Sequence, residues 1–155
     1  MLSMLSGAGC EISCGEDYVR IKCDMRLSGL GKVMTSPYPG FPTDAQALFM
    51  SALSSADGTT VFVENIFESR YKHVPELLKM GADIIVDGRL AAITGCNFIQ
   101  GATVEAQDLR GGAALVIAGL SAIGNTTISG IEHIDRGYEQ IEETFKKLGA
   151  SIKRI

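Results

Sequence analysis

A proline-rich loop that leads into an aspartate is the first candidate for chemistry in this sequence. The stretch PYPGFPTDAQ, residues 37–46, carries three prolines and a glycine ahead of Asp44. Because prolines restrict the loop, it can hold a carboxylate in place for a substrate hydroxyl. Thr43 and Gln46 have the spacing of a capping box, which predicts Asp44 at the first position of a helix. Asp44 is a candidate general base, or simply an acidic residue that favours a helix start.

The segment QDLRGG, residues 107–112, is a second candidate. It places Asp108 and Arg110 at the predicted start of another helix. A guanidinium beside free helix N–H groups is suited to a phosphate or carboxylate, and the two glycines are expected to let a ligand approach the backbone. A solvated pair of Asp108 with Arg110 is the alternative interpretation.

A third candidate is HIDRGY, residues 133–138, in which Asp135 is expected to cap the following helix and Arg136 to act as a second anion ligand. Arg70 occupies the matching place in an earlier segment, ESRY. Several arginines near helix starts predict a small ligand with two anionic groups. An exposed first-turn arginine is the alternative. His73 and His133 are interpreted as structural or surface residues.

Composition narrows the functional class. The chain has 155 residues and a net charge of −4, and no segment concentrates Lys or Arg as a nucleic-acid binder would. Its apolar runs are too short to span a bilayer and its start lacks the features of a signal peptide, so we expect a cytoplasmic protein. Its cysteines form no CxxC pair and are expected to be reduced thiols that bind no metal, namely Cys10, Cys14, Cys23 and Cys96.

An internal repeat of about 70 residues runs through the chain. The segments MLSMLSGAGCEI, HVPELLKMGADI and IEETFKKLGASI each combine a helical pattern, a glycine and the start of a strand. Gly9, Gly81 and Gly149 are therefore predicted to take the left-handed conformation that ends a helix. A second correspondence, between TTVFVENIFESRY and TTISGIEHIDRGY, has the same spacing.

The best-preserved unit predicts the order strand, helix, strand, helix and hairpin. Its parts are KVMTS, a helix over 44–56, TTVFVEN, a helix over about 74–80, and DIIV paired with LAAIT across Asp87-Gly88. The helices are apolar on nearly all sides, which predicts an α/β (α+β) fold with helices inside and strands outside. We expect a single truncated domain with a partial repeat at about 1–31, a full repeat at about 32–99 and an incomplete repeat at about 100–155.

The chain ends do not fit whole units. The first residues fall within the second helix of a unit, and SIKRI at the end reads as a strand whose hairpin partner is absent. Because unpaired strand edges are usually covered, we expect the chain to be a piece of something longer. A homodimer that pairs the open sheet edges is an alternative way to cover them.

Four segments together resemble the C-terminal part of the UDP-N-acetylglucosamine 1-carboxyvinyltransferase family. They are PYPGFPTDAQA, FESRYKHVPELLKMGA, AQDLRGGAALVIAGL and HIDRGYEQIEETFKKLGA. The resemblance covers nearly the whole chain and is weakest over residues 23–32. It implies an incomplete inside-out α/β barrel of the enolpyruvyl transferase type, built from βαβαββ units. The family transfers the enolpyruvyl group of phosphoenolpyruvate to the 3'-hydroxyl of UDP-N-acetylglucosamine, the first committed step of peptidoglycan synthesis, without a metal or organic cofactor.

The resemblance also implies roles for individual residues. Asp44 matches the proposed base at the sugar hydroxyl, and Asp108 matches an acid close to the reacting carbons. Arg110 and Arg136 match the arginines that hold the phosphate and carboxylate of phosphoenolpyruvate. In the segment NIFESR, the backbone at Ile66 is expected to contact the UDP-sugar, with Phe67 beside it. Arg70, which the repeat matches to Arg136, is expected to bind substrate as well.

Part of the family's active site has no counterpart here. Its mobile loop with a catalytic cysteine or aspartate, and its lysine and asparagine ligands, belong to the N-terminal domain, so the chain alone is expected to be inactive. The shikimate-pathway enolpyruvyl transferase, which shares the fold, is the nearest rival. A noncatalytic half-barrel that binds a UDP-sugar or a partner protein is the other alternative.

Overall fold

The computed structural model describes all 155 residues and has a mixed α/β architecture. Three separate sheets are formed: an antiparallel pair, a four-stranded mixed sheet and a parallel pair. In chain order the elements are α1 (Leu2–Gly7), β1 (Glu11–Cys14), β2 (Val19–Lys22), β3 (Gly31–Met34), α2 (Thr43–Leu53), β4 (Thr59–Val63), α3 (Val74–Lys79), β5 (Asp83–Asp87), β6 (Leu90–Thr94), β7 (Thr103–Glu105), α4 (Leu109–Ser121), β8 (Thr127–Ser129), α5 (Glu132–Asp135) and α6 (Ile141–Lys147). No helix combines the length and apolarity needed to cross a membrane.

The middle of the chain has the predicted element order. β3, α2, β4, α3, β5 and β6 follow one another as strand, helix, strand, helix and hairpin. The four strands lie in the order β3-β4-β6-β5, with β3 and β4 parallel and the other neighbours antiparallel. Since β3 and β4 are parallel, their carboxyl ends lie at the same edge of the sheet.

The hairpin turn is shifted by one residue from its predicted place. Asp87 pairs with Leu90, so the two-residue loop is Gly88-Arg89 rather than Asp87-Gly88. Gly88 has a φ of 57°, which a glycine adopts without strain. A glycine at the first loop position is typical of one of the two favoured hairpin turns.

The glycines that follow the repeated helices adopt the predicted conformation. Gly9, Gly81 and Gly149 have φ values of 98°, 84° and 95°. Because a residue with a Cβ is strained in this region, the glycines let the chain reverse out of each helix.

Two helices, α2 and α4, form the centre of the molecule, as their all-round apolarity predicts. Their small buried side chains permit close approach, and the Ser51 hydroxyl of α2 donates a hydrogen bond of 2.6 Å to the Ala114 carbonyl of α4. Asp44 contacts Arg110 near the helix starts, so contacts occur in the same order along both helices. The two helices therefore run parallel, with their N-termini at one end.

The C-terminal segment differs from its prediction. Residues 151–155 form no strand, because their backbone groups make no hydrogen bonds with a neighbouring strand. Arg154 is instead held by side chains, with hydrogen bonds to Asp135 and Glu142. The prediction that Asp135 caps the following helix is wrong for the same reason: its carboxylate is paired with Arg154, and α6 begins after Gln140 without a side-chain cap.

A buried glutamate joins α3 to β7. The Glu76 carboxylate accepts hydrogen bonds from the Lys79 ammonium at 2.8 Å and from the backbone N–H of Glu105 at 3.0 Å. Burial alone would raise the pKa of Glu76, but these hydrogen bonds hold it below its ordinary value. The contact fixes β7, in the repeat that begins at about residue 100, against α3 of the preceding repeat.

His73 is buried where α3 meets the start of α4. Its side chain packs against Gly111, where an added Cβ would lie 3.1 Å from the His73 Cβ, and its Nε2 atom has no hydrogen-bond partner. Burial lowers the pKa of His73 to about 4, with the positive charge of Arg70 acting in the same direction and the Asp108 carboxylate against it. The imidazole is therefore neutral at pH 7, as the structural interpretation of this residue requires.

The buried neutral His73 predicts a specific acid sensitivity. The unfolded chain binds a proton near the ordinary pKa of 6.5, whereas the folded chain does so only near 4. The contribution of the neutral His73 side chain to the free energy of unfolding is fully present above pH 6.5. It is lost progressively as the pH falls toward 4, and the loss amounts to about 3 kcal/mol.

Urea unfolding at several pH values measures this contribution. Carboxylates titrate over part of the same range, so the test is the difference between wild type and His73→Gln. His73→Gln should show a shallower fall between pH 7 and pH 4 than wild type. Parallel curves for wild type and His73→Gln would refute the assignment.

Candidate functional site

Most of the predicted site residues meet at one end of the molecule. This end contains the carboxyl edge of the parallel strands β3 and β4 and the N-termini of α2 and α4. In α/β structures this edge is where ligands usually bind, because helix N–H groups and loop side chains converge there. The predicted residues found here are Asp44, Ile66, Phe67, Arg70, Asp108 and Arg110.

Asp44 lies between two arginines. Its Oδ1 atom is 2.6 Å from an Arg70 guanidinium nitrogen, and its Oδ2 atom is 2.8 Å from one of Arg110. The Asp44 side chain remains 55% exposed, so a ligand can reach it. The two guanidinium groups lie beside the N–H groups at the start of two helices, and both kinds of group can bind an anion. The carboxylates of Asp44 and Asp108 balance the two arginine charges in the absence of a ligand.

The Phe67 ring stacks against the guanidinium group of Arg70. The Arg70 guanidinium carbon lies 4.9 Å from the centre of the Phe67 ring, within cation–π range. The contact is exposed and is worth about 0.5–1 kcal/mol. It connects the segment after β4 to Asp44, so the sequence prediction that these residues share a site is consistent with their contacts.

Asp108 is the N-cap of α4. Its Oδ1 atom accepts a hydrogen bond of 2.7 Å from the backbone N–H of Gly111, whereas Oδ2 has no partner in the chain. The prediction that the two glycines admit a ligand is wrong. Gly111 is buried against His73, and a Cβ on Gly112 would lie 2.6 Å from Ile134, so both glycines serve close helix packing.

Arg136 is a predicted site residue that the structure does not bring into contact with Asp44, Arg70 or Arg110. It ends α5 and is exposed, and its guanidinium makes no ion pair or hydrogen bond within the chain. Its neighbour Gly137 packs on Leu109, the first residue of α4, so Arg136 is still attached near the same helix start.

The capping box predicted at the start of α2 is not formed. The N-cap residue is Pro42, which has no side-chain acceptor, and Asp44 lies at the second helical position. The Thr43 hydroxyl donates instead to the Glu64 carboxylate at 2.9 Å. The Gln46 side chain is buried and donates only to the sulfur of Met50.

Glu64 is the residue that organises this end of the molecule, and sequence reasoning missed it. Its side chain is almost fully buried and accepts four hydrogen bonds of 2.9–3.1 Å, from the hydroxyls of Thr35 and Thr43 and the backbone N–H groups of Ile66 and Phe67. These donors come from the end of β3, the start of α2 and the segment after β4. One carboxylate thus ties Thr43, the residue before Asp44, to the backbone at Ile66 and Phe67.

A signal for Glu64 was present in the sequence. Side chains alternate between the two faces of a strand, so Thr60 and Phe62 place Glu64 on the same inward face of TTVFVE. A charged residue at an inward position must be hydrogen-bonded, which marks it as an organising group. Its charge also adds to burial in raising the pKa of the nearby Tyr71 hydroxyl to about 12.

The proline-rich loop is anchored at its end rather than held by prolines alone. Phe41 is buried and packs edge-on against Phe49 of α2, with ring centres 5.2 Å apart. The backbone N–H of Ser36 donates to the Phe41 carbonyl at 2.9 Å and closes the loop. A Cβ on Gly40 would lie 1.8 Å from the Ser36 hydroxyl and 2.9 Å from the Ser36 Cβ, so a larger residue there would force Ser36 to move.

The site is an open surface rather than an enclosed cavity. A cavity of about 550 Å³ lies elsewhere, between α4, β8 and residues 151–155, and none of the predicted site residues lines it. No three His, Cys, Asp or Glu side chains converge in an arrangement that could hold a metal ion.

The organising role of Glu64 can be measured by urea unfolding. Glu64→Ala leaves four donors without their acceptor and should lower the free energy of unfolding by at least about 3 kcal/mol. Glu64→Gln keeps one oxygen as an acceptor and should lose about half as much. Glu68→Gln, at a side chain that is 86% exposed, is the control and should change stability by less than about 0.5 kcal/mol. Equal losses for Ala and Gln at position 64 would contradict the hydrogen-bonding role.

Comparison with known proteins identifies the relatives of this chain. Two curated proteins named UDP-N-acetylglucosamine 1-carboxyvinyltransferase, from Caldanaerobacter subterraneus subsp. tengcongensis and Zymomonas mobilis, are 52% and 49% identical over 155 residues. The alignments cover 100% of this chain but 37% and 36% of those proteins. The chain therefore spans little more than a third of the length of these relatives.

A solved structure confirms the predicted fold class. The enolpyruvyl transferase NikO from Streptomyces tendae matches with a TM-score of 0.87 and 28% identity, over 98% of this chain and 35% of that one. The family model described as EPSP synthase (3-phosphoshikimate 1-carboxyvinyltransferase) matches residues 1–145. This chain thus belongs to the EPSP synthase (3-phosphoshikimate 1-carboxyvinyltransferase) family, as an incomplete α/β domain of the enolpyruvyl transferase type.

Proposed function

We propose that this chain is part of an enzyme that transfers the enolpyruvyl group of phosphoenolpyruvate to the 3'-hydroxyl of UDP-N-acetylglucosamine and releases phosphate. The reaction would be the first committed step of peptidoglycan synthesis in the cytoplasm, and would connect the protein to cell-wall growth, cell shape and division. The proposal is supported by relatives named UDP-N-acetylglucosamine 1-carboxyvinyltransferase at about half identity over the entire chain.

The observation that carries the proposal is the position of Asp44 between Arg70 and Arg110. The reaction needs a base for a sugar hydroxyl next to cations that hold an anionic donor. The contacts of 2.6 Å and 2.8 Å put these groups side by side at the start of two helices. Each Asp44 oxygen has one arginine contact and a second lone pair, so the exposed carboxylate can still accept a hydrogen bond from the sugar hydroxyl.

Asp108 is suited to the second proton transfer. While the hydroxyl is deprotonated, the terminal vinyl carbon of phosphoenolpyruvate must gain a proton. The Oδ1 atom of Asp108 is held by Gly111, and its unpartnered Oδ2 atom is free to face a ligand near Arg110. Arg110 and Arg136 would hold the phosphate and carboxylate, and the exposed Arg136 has no competing partner to release.

The segment after β4 would contact the UDP-sugar through its backbone. The N–H of Ile66 is already bonded to Glu64 at 2.9 Å, whereas the Ile66 carbonyl accepts no hydrogen bond. The Ile66 carbonyl is therefore the backbone group available to a donor on the sugar nucleotide. Phe67, which is 50% exposed, lies beside it.

Turnover would require the part of the enzyme that this chain does not contain. The N-terminal domain would supply the mobile loop and the lysine and asparagine ligands of phosphoenolpyruvate, and no metal or organic cofactor is invoked. The chain alone would be inactive. A homodimer through the open sheet edges is the alternative way of covering those edges.

A second candidate activity is transfer to 3-phosphoshikimate. It is favoured by the description of the matching family model. The printed names of the relatives that are about half identical favour the UDP-sugar, and we prefer that substrate.

Titration of the isotope-labelled chain by NMR tests the substrate. UDP-N-acetylglucosamine should produce saturable shifts at the amides of Asp44, Ile66 and Phe67. Asp44→Ala should weaken these shifts, and Asp87→Ala, at an exposed aspartate in the hairpin, should not. A response to 3-phosphoshikimate but not to the UDP-sugar would support the rival substrate. A response to neither would mean that the sugar site forms only when the N-terminal domain is also present.

The role of Asp44 predicts a kinetic result in the full-length enzyme. Asp44→Ala should reduce turnover by at least about a hundredfold, the usual scale for the loss of a positioned base. The variant also loses the ion pairs with Arg70 and Arg110, so its unfolding transition should fall modestly. Circular dichroism checks that it stays folded at the assay temperature. Near-normal turnover by the variant would remove Asp44 from the mechanism.

A further inference from the structure

Two cysteines face each other at the open end of the hairpin formed by β1 and β2. In the antiparallel register of these strands, Glu11 pairs with Lys22. One step further along the same register, Cys10 lies opposite Cys23. The two segments stay side by side beyond the strands, because the backbone N–H of Ser28 donates to the Ala8 carbonyl at 2.9 Å.

The register places this pair in the geometry that suits a disulfide. At the turn, the N–H of Gly15 donates to the Tyr18 carbonyl at 2.9 Å, so that pair is hydrogen-bonded. Hydrogen-bonded and non-hydrogen-bonded pairs alternate along an antiparallel ladder, which makes Cys10 and Cys23 a non-hydrogen-bonded pair. The Cα atoms of such pairs are about 4.5 Å apart, and disulfides span Cα distances of about 4.4 to 6.8 Å.

The two thiols have different environments. Cys10 is buried, and burial together with the neighbouring Cys23 thiol raises the pKa of Cys10. Cys23 is exposed, and its Sγ atom donates to the Met25 carbonyl at 3.0 Å. Cys23 is therefore the thiol that a reagent in solution meets first, with Cys10 behind it.

The other cysteines lack such a partner. Cys14 is exposed but lies opposite Val19 in the register. Cys96 is half-buried and makes sulfur contacts with the carbonyls of Ser54 and Phe98, both at 3.2 Å. An oxidant should therefore form a disulfide between Cys10 and Cys23 and leave Cys14 and Cys96 without an intramolecular disulfide.

We propose that Cys10 and Cys23 form a dithiol modification site that closes to an intramolecular disulfide on reaction with a low-molecular-weight disulfide of the glutathione class. The Cys23 thiolate attacks oxidised glutathione, which forms a mixed disulfide and releases one glutathione thiolate. Cys10 then loses its proton and attacks the Cys23 sulfur, which releases the second glutathione thiolate. The protein loses two electrons and two protons, and oxidised glutathione is reduced to two thiols.

The disulfide would reinforce a weak part of the fold. The hairpin of β1 and β2 is a separate two-stranded sheet, and such hairpins are marginally stable alone. A crosslink between Cys10 and Cys23 closes the open end of the hairpin and restricts its unfolded states. The disulfide proposal does not depend on the proposed function, because neither cysteine contacts Asp44, Arg70, Asp108 or Arg110.

Thiol mapping of the native 155-residue chain tests the site. The native chain is equilibrated in mixtures of reduced and oxidised glutathione and quenched with acid. It is then unfolded in urea so that N-ethylmaleimide reaches every remaining thiol, including the buried Cys10, and peptides are identified by mass. Labelled thiols should fall from four to two per chain, with a Cys10–Cys23 peptide as the product. Because the second step is intramolecular, at a fixed concentration of reduced glutathione half-oxidation should need at least about tenfold less oxidised glutathione than half-glutathionylation of Cys14.

Variants and denaturation sharpen the test without relying on one mutant. Cys14→Ser should leave the Cys10–Cys23 disulfide unchanged, whereas Cys10→Ser should retain glutathione on Cys23. In urea the selectivity for this pair should disappear, since it comes from the strand register. Stable glutathione on Cys23 of the wild type while Cys10 still reacts with maleimide would overturn the proposal. A Cys14–Cys23 disulfide or disulfide-linked dimers as the main product would also overturn it.

Discussion

The parallel packing of α2 against α4 is the constraint on which the rest of the structure depends. Both helices are apolar on nearly all sides, so each must be covered all round, and strands and loops form that cover. Parallel neighbouring helices also bring two positive dipole ends together, which is unfavourable without a compensating charge. Asp44 in the first turn of α2 and Asp108 at the cap of α4 supply it. The acidic residues of the candidate site are therefore also part of what permits the central packing.

Local sequence signals predicted much of this fold. The glycines after the repeated helices were identifiable because one backbone conformation at each position nearly requires glycine. The order of strands and helices in the middle unit followed from alternation, apolar runs and a hairpin signal. The turn was displaced by a single residue because Asp-Gly and Gly-Arg both suit a two-residue loop, and pairing of the strands decides between them.

Contacts between distant segments explain what the sequence did not predict. Thr43 has the local pattern of a capping residue, but its hydroxyl is used by Glu64. Gly111 and Gly112 look like part of a ligand-binding turn, yet His73 and Ile134 occupy the space beside them. Asp135 has a partner, Arg154, far along the chain. In each case a tertiary partner replaced the local one, and single-segment patterns contain no information about that partner.

Glu64 also determines how this end of the molecule can move. Its four hydrogen bonds tie the end of β3, the start of α2 and the segment after β4 into one mechanical unit. A hinge between any two of these segments would break a buried charge-assisted hydrogen bond, so none of them can swing alone. The arginine side chains are restrained less, since Arg70 and Arg110 are held here by ion pairs to the exposed Asp44 carboxylate and not by buried hydrogen bonds. On this side of the site, adaptation to a ligand is therefore expected as rotamer changes of side chains on a rigid backbone. Any large closing movement would have to come from another domain.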